Sequence, residues 1–343
     1  MKRVLLALSA AGLWGATIPA AAQEDVAAFF KDKQIRLLVG SAAGSGYDMN
    51  ARVFVKHYQK YIPGKPTFVV QNQPGAGSAI VGNAMANTAA KDGTAMAAVI
   101  NGMPTLPLLS PDQARFDPTK FNWIGSTNRD TQATYVWHTS PVLSLADLQT
   151  KELVVGATTP GTTQVDFPVV AKAIFGLKYK VISGYEGTTD IHVAMERGEV
   201  MGMGANGWLS LKALGSQWLK DGRVKVIMQY GVNPNPELAD VPTVFSLAKN
   251  DADRQAMLLM ISRLEYGRPF FVPAEVPAAR VEALRRAFDA TVKDPEYLAD
   301  AEKALLEVSP MTGEQVTALI KQVAATPPDV VARVRAALEA SSK

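Results

Sequence analysis

Three times along this chain a short apolar run gives way to a loop of mostly small and hydroxyl-bearing residues, and then to a segment with helical spacing. The runs are Ile35–Val39, Phe68–Val70 and Leu153–Gly156. A run with no polar alternation suits a strand buried on both faces, and strands alternating with helices imply a parallel sheet covered by helices on both sides. The same reading predicts helices over Asp48–Tyr61 and Ser78–Ala90 and a strand over Met96–Ile100. It predicts further strands at Phe121–Ser126, Thr134–His138, Lys180–Ile182, Val224–Met228 and Pro269–Val272. Helices are expected at Leu143–Gln149, Asp190–Arg197, Gly207–Leu219, Asp251–Tyr266 and Ala278–Val292. Two amphipathic helices, split at Pro327-Pro328, are expected over Thr312–Ala340.

Pro104, Pro107, Pro111 and Pro118 interrupt the chain after the third strand and exclude a long helix there. A second strand–helix series begins at Leu153–Gly156, within a stretch from about Gly125 to Tyr230 that reads as a second lobe, and a turn cluster at Asn233–Pro236 returns the chain. The expected organisation is therefore two α/β lobes: residues 23–124 with 231–343 form the first, and 125–230 the second.

The N-terminus sets the compartment. Lys2 and Arg3 precede the apolar run Val4–Leu13, and Ala20-Ala21-Ala22 offers small residues before Gln23. That is the layout of a secretory signal peptide, expected over residues 1–22 and cleaved. The run is shorter than the about 20 apolar residues that a membrane span needs. The formal charge is +3, of which Lys2 and Arg3 supply two. The rest is nearly neutral, which argues against a nucleic-acid partner. There are no cysteines, which excludes disulfides, thiolate metal sites and a cysteine nucleophile.

The loops carry the candidate chemistry. In open α/β sheets ligands sit beyond the carboxyl ends of strands, where glycines let backbone approach and helix N-termini favour anions. The first loop offers Ser41, Ala43, Gly44, Ser45, Gly46, Tyr47 and Asp48, with Asp48 expected as the helix N-cap. The second offers Asn72, Pro74, Gly75, Ala76 and Gly77, and Asn101 directly follows the third strand. The second lobe offers Thr159, Gly161, Thr162 and Thr163, with Thr188, Asp190 and Asn206 beyond. Amides and hydroxyls of this kind suit a carboxylate without a buried cation. Tyr47, Tyr185, Trp137 and Trp208 lie in or beside loops, where each is either a stacking surface for ligand or lobe packing.

Enzyme and nucleotide readings fail on detail. Gly44-Ser45-Gly46 lacks the third glycine of a dinucleotide loop, and no Gly-Lys-Ser/Thr follows Gly40. No serine sits in a nucleophile elbow. His57, His138 and His192 have no metal-ligand spacing, so no metal and no cofactor are expected. His57 reads as a packing or surface residue; His192 is a weaker candidate for the cleft.

These loops resemble those of the substrate-binding proteins of tripartite tricarboxylate transporters, the Bug family. Gly40–Asp48 stands where that family has Pro-Phe-x-x-Gly-Gly-x-x-Asp, and Asn72–Ser78 resembles its Asn-x-Pro-Gly-Ala-Gly-Gly loop. Ala90–Met96, Tyr185–Gly187 with Gly198–Val200, and Leu238–Thr243 are similar to three further motifs in the same order. Departures fall at Gly40-Ser41, at Ser45 and at Val165-Asp166, where many members carry a histidine. Met201–Asn206 keeps only the middle methionine and the asparagine of the family's acidic stretch, and Asp190 lies one helical turn before the usual aspartate.

The resemblance implies a type II periplasmic-binding-protein fold, α/β, with two lobes joined by a two-strand hinge and the ligand cleft between them. It implies a periplasmic, non-enzymatic, monomeric receptor that delivers a small carboxylate-bearing molecule to large and small integral membrane subunits. Two rivals remain at this stage: a receptor with the same cleft that signals to a membrane kinase, and a secreted hydrolase.

Overall fold

The structure is a computed structural model that describes residues 25–159 and 161–341; the signal-peptide expectation lies outside them. Eleven strands form two sheets. The first contains β1 (Gln34–Val39), β2 (Thr67–Asn72), β3 (Ala95–Ala98), β4 (Asn122–Ser126), β10 (Pro269–Val272) and β11 (Met311–Thr312). The second contains β5 (Gln132–Trp137), β6 (Leu153–Ala157), β7 (Tyr179–Ser183), β8 (Gly202–Gly207) and β9 (Val224–Tyr230). The mixed α/β, two-sheet architecture matches the expected fold class.

The two sheets share one plan. In the first the order is β2-β1-β3-β10-β4, with β11 added at the far edge; in the second it is β7-β6-β8-β5-β9. In each, three parallel strands are followed by an antiparallel one that arrives from outside the local series: β10 beside β3, and β5 beside β8. The chain passes between the sheets through residues 127–131 on the way out and leaves β9 at Tyr230 on the way back.

Each parallel strand is buried for the reason its sequence suggests. Ile35, Leu37 and Val39 pack on Phe54, Tyr58 and Phe288 on one face of the first sheet, while Leu38 joins a core on the other face. That second core does not stop at the lobe boundary. It runs from Leu38, Trp123 and Phe271 through Leu259, Leu264, Val331 and Val334 to Val155, Phe167 and Tyr230 of the second lobe. The helices Asp251–Glu265 and Pro328–Ser341 supply the middle of it. Arg333 of the latter donates to Asp253 Oδ1 at 2.8 Å and to the Ile174 carbonyl at 3.1 Å, while Arg335 donates to the Leu108 carbonyl at 2.6 Å. The last helix is thus bonded to both lobes.

Several boundaries differ from the sequence expectation. The segment expected as one helix over Gly207–Leu219 is two, Trp208–Leu214 and Ser216–Lys220, broken at Gly215. The helix expected from Ser78 is a single 3-10 turn, Ala76–Ser78, followed by Ala79–Asn87. The central strand β8 carries glycine at 202, 204 and 207 and has little strand signal of its own. It is a strand through its pairing with β5 and β6, and it needs glycine because neighbours come close: a Cβ at Gly204 would meet Pro168 at 2.8 Å. Among the described residues no helix is long and apolar enough to cross a membrane.

Candidate ligand-binding cleft

The first lobe presents the carboxyl ends of β1, β2 and β3. After β1 the chain turns into the helix Gly46–Tyr58, whose N-cap is Ser45: its Oγ accepts the Asp48 N–H at 3.3 Å. The N-cap expectation for Asp48 is therefore corrected by three positions. Asp48 instead turns back on its own loop and accepts the Gly44 N–H at 2.8 Å, Asn72 Nδ2 at 2.9 Å and Arg52 Nε at 2.9 Å. Burial alone would push its carboxyl up. The hydrogen bonds from Arg52, Gly44 and Asn72 outweigh that and hold it below the ordinary carboxylate value. Asn72 also donates to the Ser41 carbonyl at 3.0 Å and accepts from Arg52 Nη2 at 3.0 Å. The side chains of Asp48 and Asn72 thus join the first two loops to each other.

The second loop carries concentrated backbone strain. Gly75, Ala76, Gly77 and Ser78 have φ of 138°, 45°, 61° and 74°. A residue with a Cβ in this region costs about 1–2 kcal/mol, and such strain persists only where its surroundings impose it. Ser78 shows what imposes it here. Its buried hydroxyl donates to the Gly40 carbonyl at 2.8 Å and accepts the Ile100 N–H at 3.0 Å, tying together the ends of β1 and β3. Next along, Asn101 donates its N–H to Tyr47 Oη at 3.2 Å, and the Arg268 guanidinium lies 4.1 Å from the Tyr47 ring centroid.

The second lobe presents the ends of β6, β7 and β8, and its organiser is a residue the sequence reading passed over. Gln164 accepts the Thr158 N–H at 3.0 Å and donates to Thr188 Oγ1 at 3.1 Å and Asn206 Oδ1 at 3.3 Å. One side chain therefore links the loop after β6, the helix start after β7 and Asn206 near the end of β8. Asn206 in turn donates to Tyr135 Oη at 3.2 Å, which is bonded to His192 Nε2 at 2.7 Å. Burial pushes the His192 imidazole below its ordinary value, against a smaller opposing pull from Glu196. The ring also packs 4.7 Å from Trp218. His192 is therefore a neutral support behind the wall. Trp137, weighed as a stacking surface, is likewise core, 5.0 Å from Trp218.

Between the lobes lies a cavity of about 630 Å³. Five expected site residues line it: Gly77 and Asn101 from the first lobe, and Gly161, Thr162 and Thr163 from the second. Ser41, Ala43–Asp48, Asn72, Pro74–Ala76, Thr159, Thr188, Asp190 and Asn206 are off its wall. Of these, Asp48, Asn72, Thr188 and Asn206 brace the loops that reach it. None of the three histidines lines it; His57 is buried and bonded through Nε2 to Asp300 at 2.9 Å.

The cavity also has residues that the neutral-loop reading did not foresee. Asp166, one turn into the helix Thr163–Phe175, accepts the Gly161 N–H at 3.0 Å and faces Arg263 Nη2 at 3.5 Å. Arg263 comes from Asp251–Glu265, and Arg335 and Glu339 from the last helix. Arg263 stands at i+3 from Met260 and i+7 from Ala256, on a buried face of its helix, but the sequence reading did not single it out.

The fold that carries this cavity is one that solved structures share. A TctC solute-binding protein from Polaromonas aligns with a TM-score of 0.70 at 19% identity, covering 90% of this chain and 98% of that one. The chain shares the two-lobed α/β fold of that protein. MatC from Rhodopseudomonas palustris, with bound malate, shares it at a TM-score of 0.55 and 16% identity over 87% of this chain and 99% of its own. A second R. palustris protein, with adipate, aligns at 0.57 and 18% identity over 89% and 97%. No family model and no curated protein sequence matches the chain. In the solute-binding fold the cleft between lobes is where both sets of strand ends converge, as Gly77 and Asn101 meet Gly161–Thr163 here.

Proposed function

We propose that the protein is an exported solute receptor of the tripartite tricarboxylate transporter type, which captures a small carboxylate-bearing molecule and passes it to a membrane transporter of large and small subunits. The observation that carries this reading is the cavity whose two walls are strand–helix loops from different lobes. A molecule held by both walls favours their approach, because only the closed form supplies both sets of contacts. The first lobe offers Gly77 and Asn101 beside backbone held in place by Ser78; the second offers Gly161 and the hydroxyls of Thr162 and Thr163. Malate and adipate occupy two proteins of the same fold, which supports a carboxylate ligand here. The sequence motifs of the first two loops support the transporter assignment.

The test is a thermal-shift screen of the purified mature protein against mono-, di- and tricarboxylates and aromatic acids, since a ligand of the native state raises the melting temperature. A concentration-dependent shift with one class supports the reading; no shift across the panel sinks it. Loss of uptake of that ligand in a deletion strain supports delivery to a transporter, and unchanged uptake overturns it.

A further inference from the structure

Arg263 is an unusual residue to find in this wall. Its side chain retains only 13% of its accessible area, and it lines the cavity. Its Nε and Nη2 are buried, and among the described residues neither has a hydrogen-bond partner. The charge is balanced by Asp166, but at 3.5 Å and without hydrogen-bonding geometry. The guanidinium lies 4.9 Å from the Phe167 ring centroid, and Nη1 lies 3.8 Å from where a Cβ on Gly102 would be. It therefore stands between the loop that follows β3 and the first helix of the second lobe.

The energetics of this arrangement are lopsided. A guanidinium does not deprotonate in a protein, so burial cannot be relieved by losing the charge. A buried cation is tolerated when it is paired and its donors are met. Here one partner is met loosely, at 3.5 Å. Asp166 also spends Oδ1 on the Gly161 N–H. A planar fork of this kind is matched by an incoming carboxylate, which takes two parallel hydrogen bonds.

We propose that Arg263 is the specificity-determining residue of the cavity, where it binds a second carboxylate of the ligand and so selects dicarboxylates over monocarboxylates of the same length. The proposal rests on the carboxylate-receptor reading above and adds a charged contact to it. The first carboxylate meets neutral amides and hydroxyls; the second meets Arg263 at the junction of the lobes. Because Arg263 touches Asp166 of one lobe and neighbours Gly102 of the other, an anion placed there also neutralises the charge that closure would bury further.

Calorimetry with paired probes tests this: succinate against butyrate, and adipate against hexanoate. Wild-type protein should bind the dicarboxylate of a pair more tightly, by roughly 10- to 100-fold, the range expected for a charge-assisted hydrogen bond. Arg263→Gln should weaken the dicarboxylate far more than its monocarboxylate partner, so that the ratio between them collapses towards one. Arg263→Lys keeps a cation for Asp166 and should retain part of the preference. It also serves as the folding control if the glutamine variant melts early. A wild type that binds both members of each pair equally, or a glutamine variant that loses both equally, overturns the role of Arg263. A wild type that binds none of the four probes, in a protein whose thermal-shift screen finds a monocarboxylate or aromatic acid, overturns the dicarboxylate selection and leaves the receptor reading intact. No ligand in either experiment overturns both.

Discussion

Ser78 Oγ donates to the Gly40 carbonyl at 2.8 Å, and the side chain that makes this bond occupies the space a Cβ on residue 40 would need, 2.2 Å away. Where the resemblance has proline in the first loop and glycine closing the second, this chain has Gly40 and Ser78. The missing side chain at one position makes room for the hydroxyl at the other.

A double-mutant cycle checks that coupling. Ser78→Ala leaves the partly buried Ile100 N–H without its acceptor, at a cost of about 1–3 kcal/mol. Gly40→Ala alone should be severely destabilising, because Ser78 cannot withdraw. Combined with Ser78→Gly, the same alanine should be tolerated far better, since the atoms it strikes are gone and glycine relaxes the 74° φ. Additive losses in urea denaturation would refute the coupling.

Gly77 gives a cleaner probe of the second loop than Gly75. A Cβ on Gly75 would strike Ile80 at 2.5 Å, whereas one on Gly77 meets nothing closer than Leu106 at 3.9 Å. Gly77→Val should cost about 1–2 kcal/mol for its left-handed backbone and place its side chain at the cavity. The expected result is a folded protein that has lost its ligand. Unchanged affinity by calorimetry would remove this loop from the site.

Gln164→Ala should loosen the segments after β6, after β7 and near the end of β8 at once. It leaves the Thr158 N–H without its acceptor and unlinks Thr188 from Asn206. Stability should fall by about 1–3 kcal/mol, and affinity should fall with it although Gln164 is off the cavity wall. A variant with wild-type affinity would show that the loops hold their places without it.

Acid stability should carry a contribution from Asp300. A hydrogen bond from Lys56, with a second from His57, pushes its carboxyl down from 3.8 to about 2. A folded-state value below the unfolded one adds stability that is complete above the unfolded value and is lost as pH falls towards the folded one. Asp300→Asn should therefore lose stability at neutral pH and show a shallower decline between about pH 4 and about pH 2. Parallel curves for mutant and wild type would contradict this. Acid titrations monitored by tryptophan fluorescence supply the measurement.

The fold was legible where local signals agree with tertiary demands. Ile35–Val39, apolar but for the exposed Arg36, and Leu153–Gly156 sit between two neighbours in their sheets, so sequence and burial tell the same story. Strand β8 was not legible, because its glycines are dictated by Tyr135 and Pro168 pressing from outside. The loops at the cleft were legible as loops, since glycine and hydroxyl residues mark them. Their internal division of labour was not. Asp48 and Asn72 carry the polar groups a ligand would want, yet those groups are spent on Gly44, Arg52 and Ser41. Arg263 was missed for the converse reason: it lies in an amphipathic helix far along the chain, and only the return of that helix to the lobe junction brings it to the cavity.

The last helix has a mechanical consequence. It is bonded to Ile174 on one lobe and to Leu108 on the other, through side chains two residues apart. A helix attached at its middle to both lobes cannot follow two bodies that swing apart while keeping both attachments. Opening must therefore include shear, with either Arg333 sliding from its acceptors or Arg335 from its own. The width of the mouth is then limited by how far an arginine side chain can reach, and the last helix serves as a tether as well as a wall.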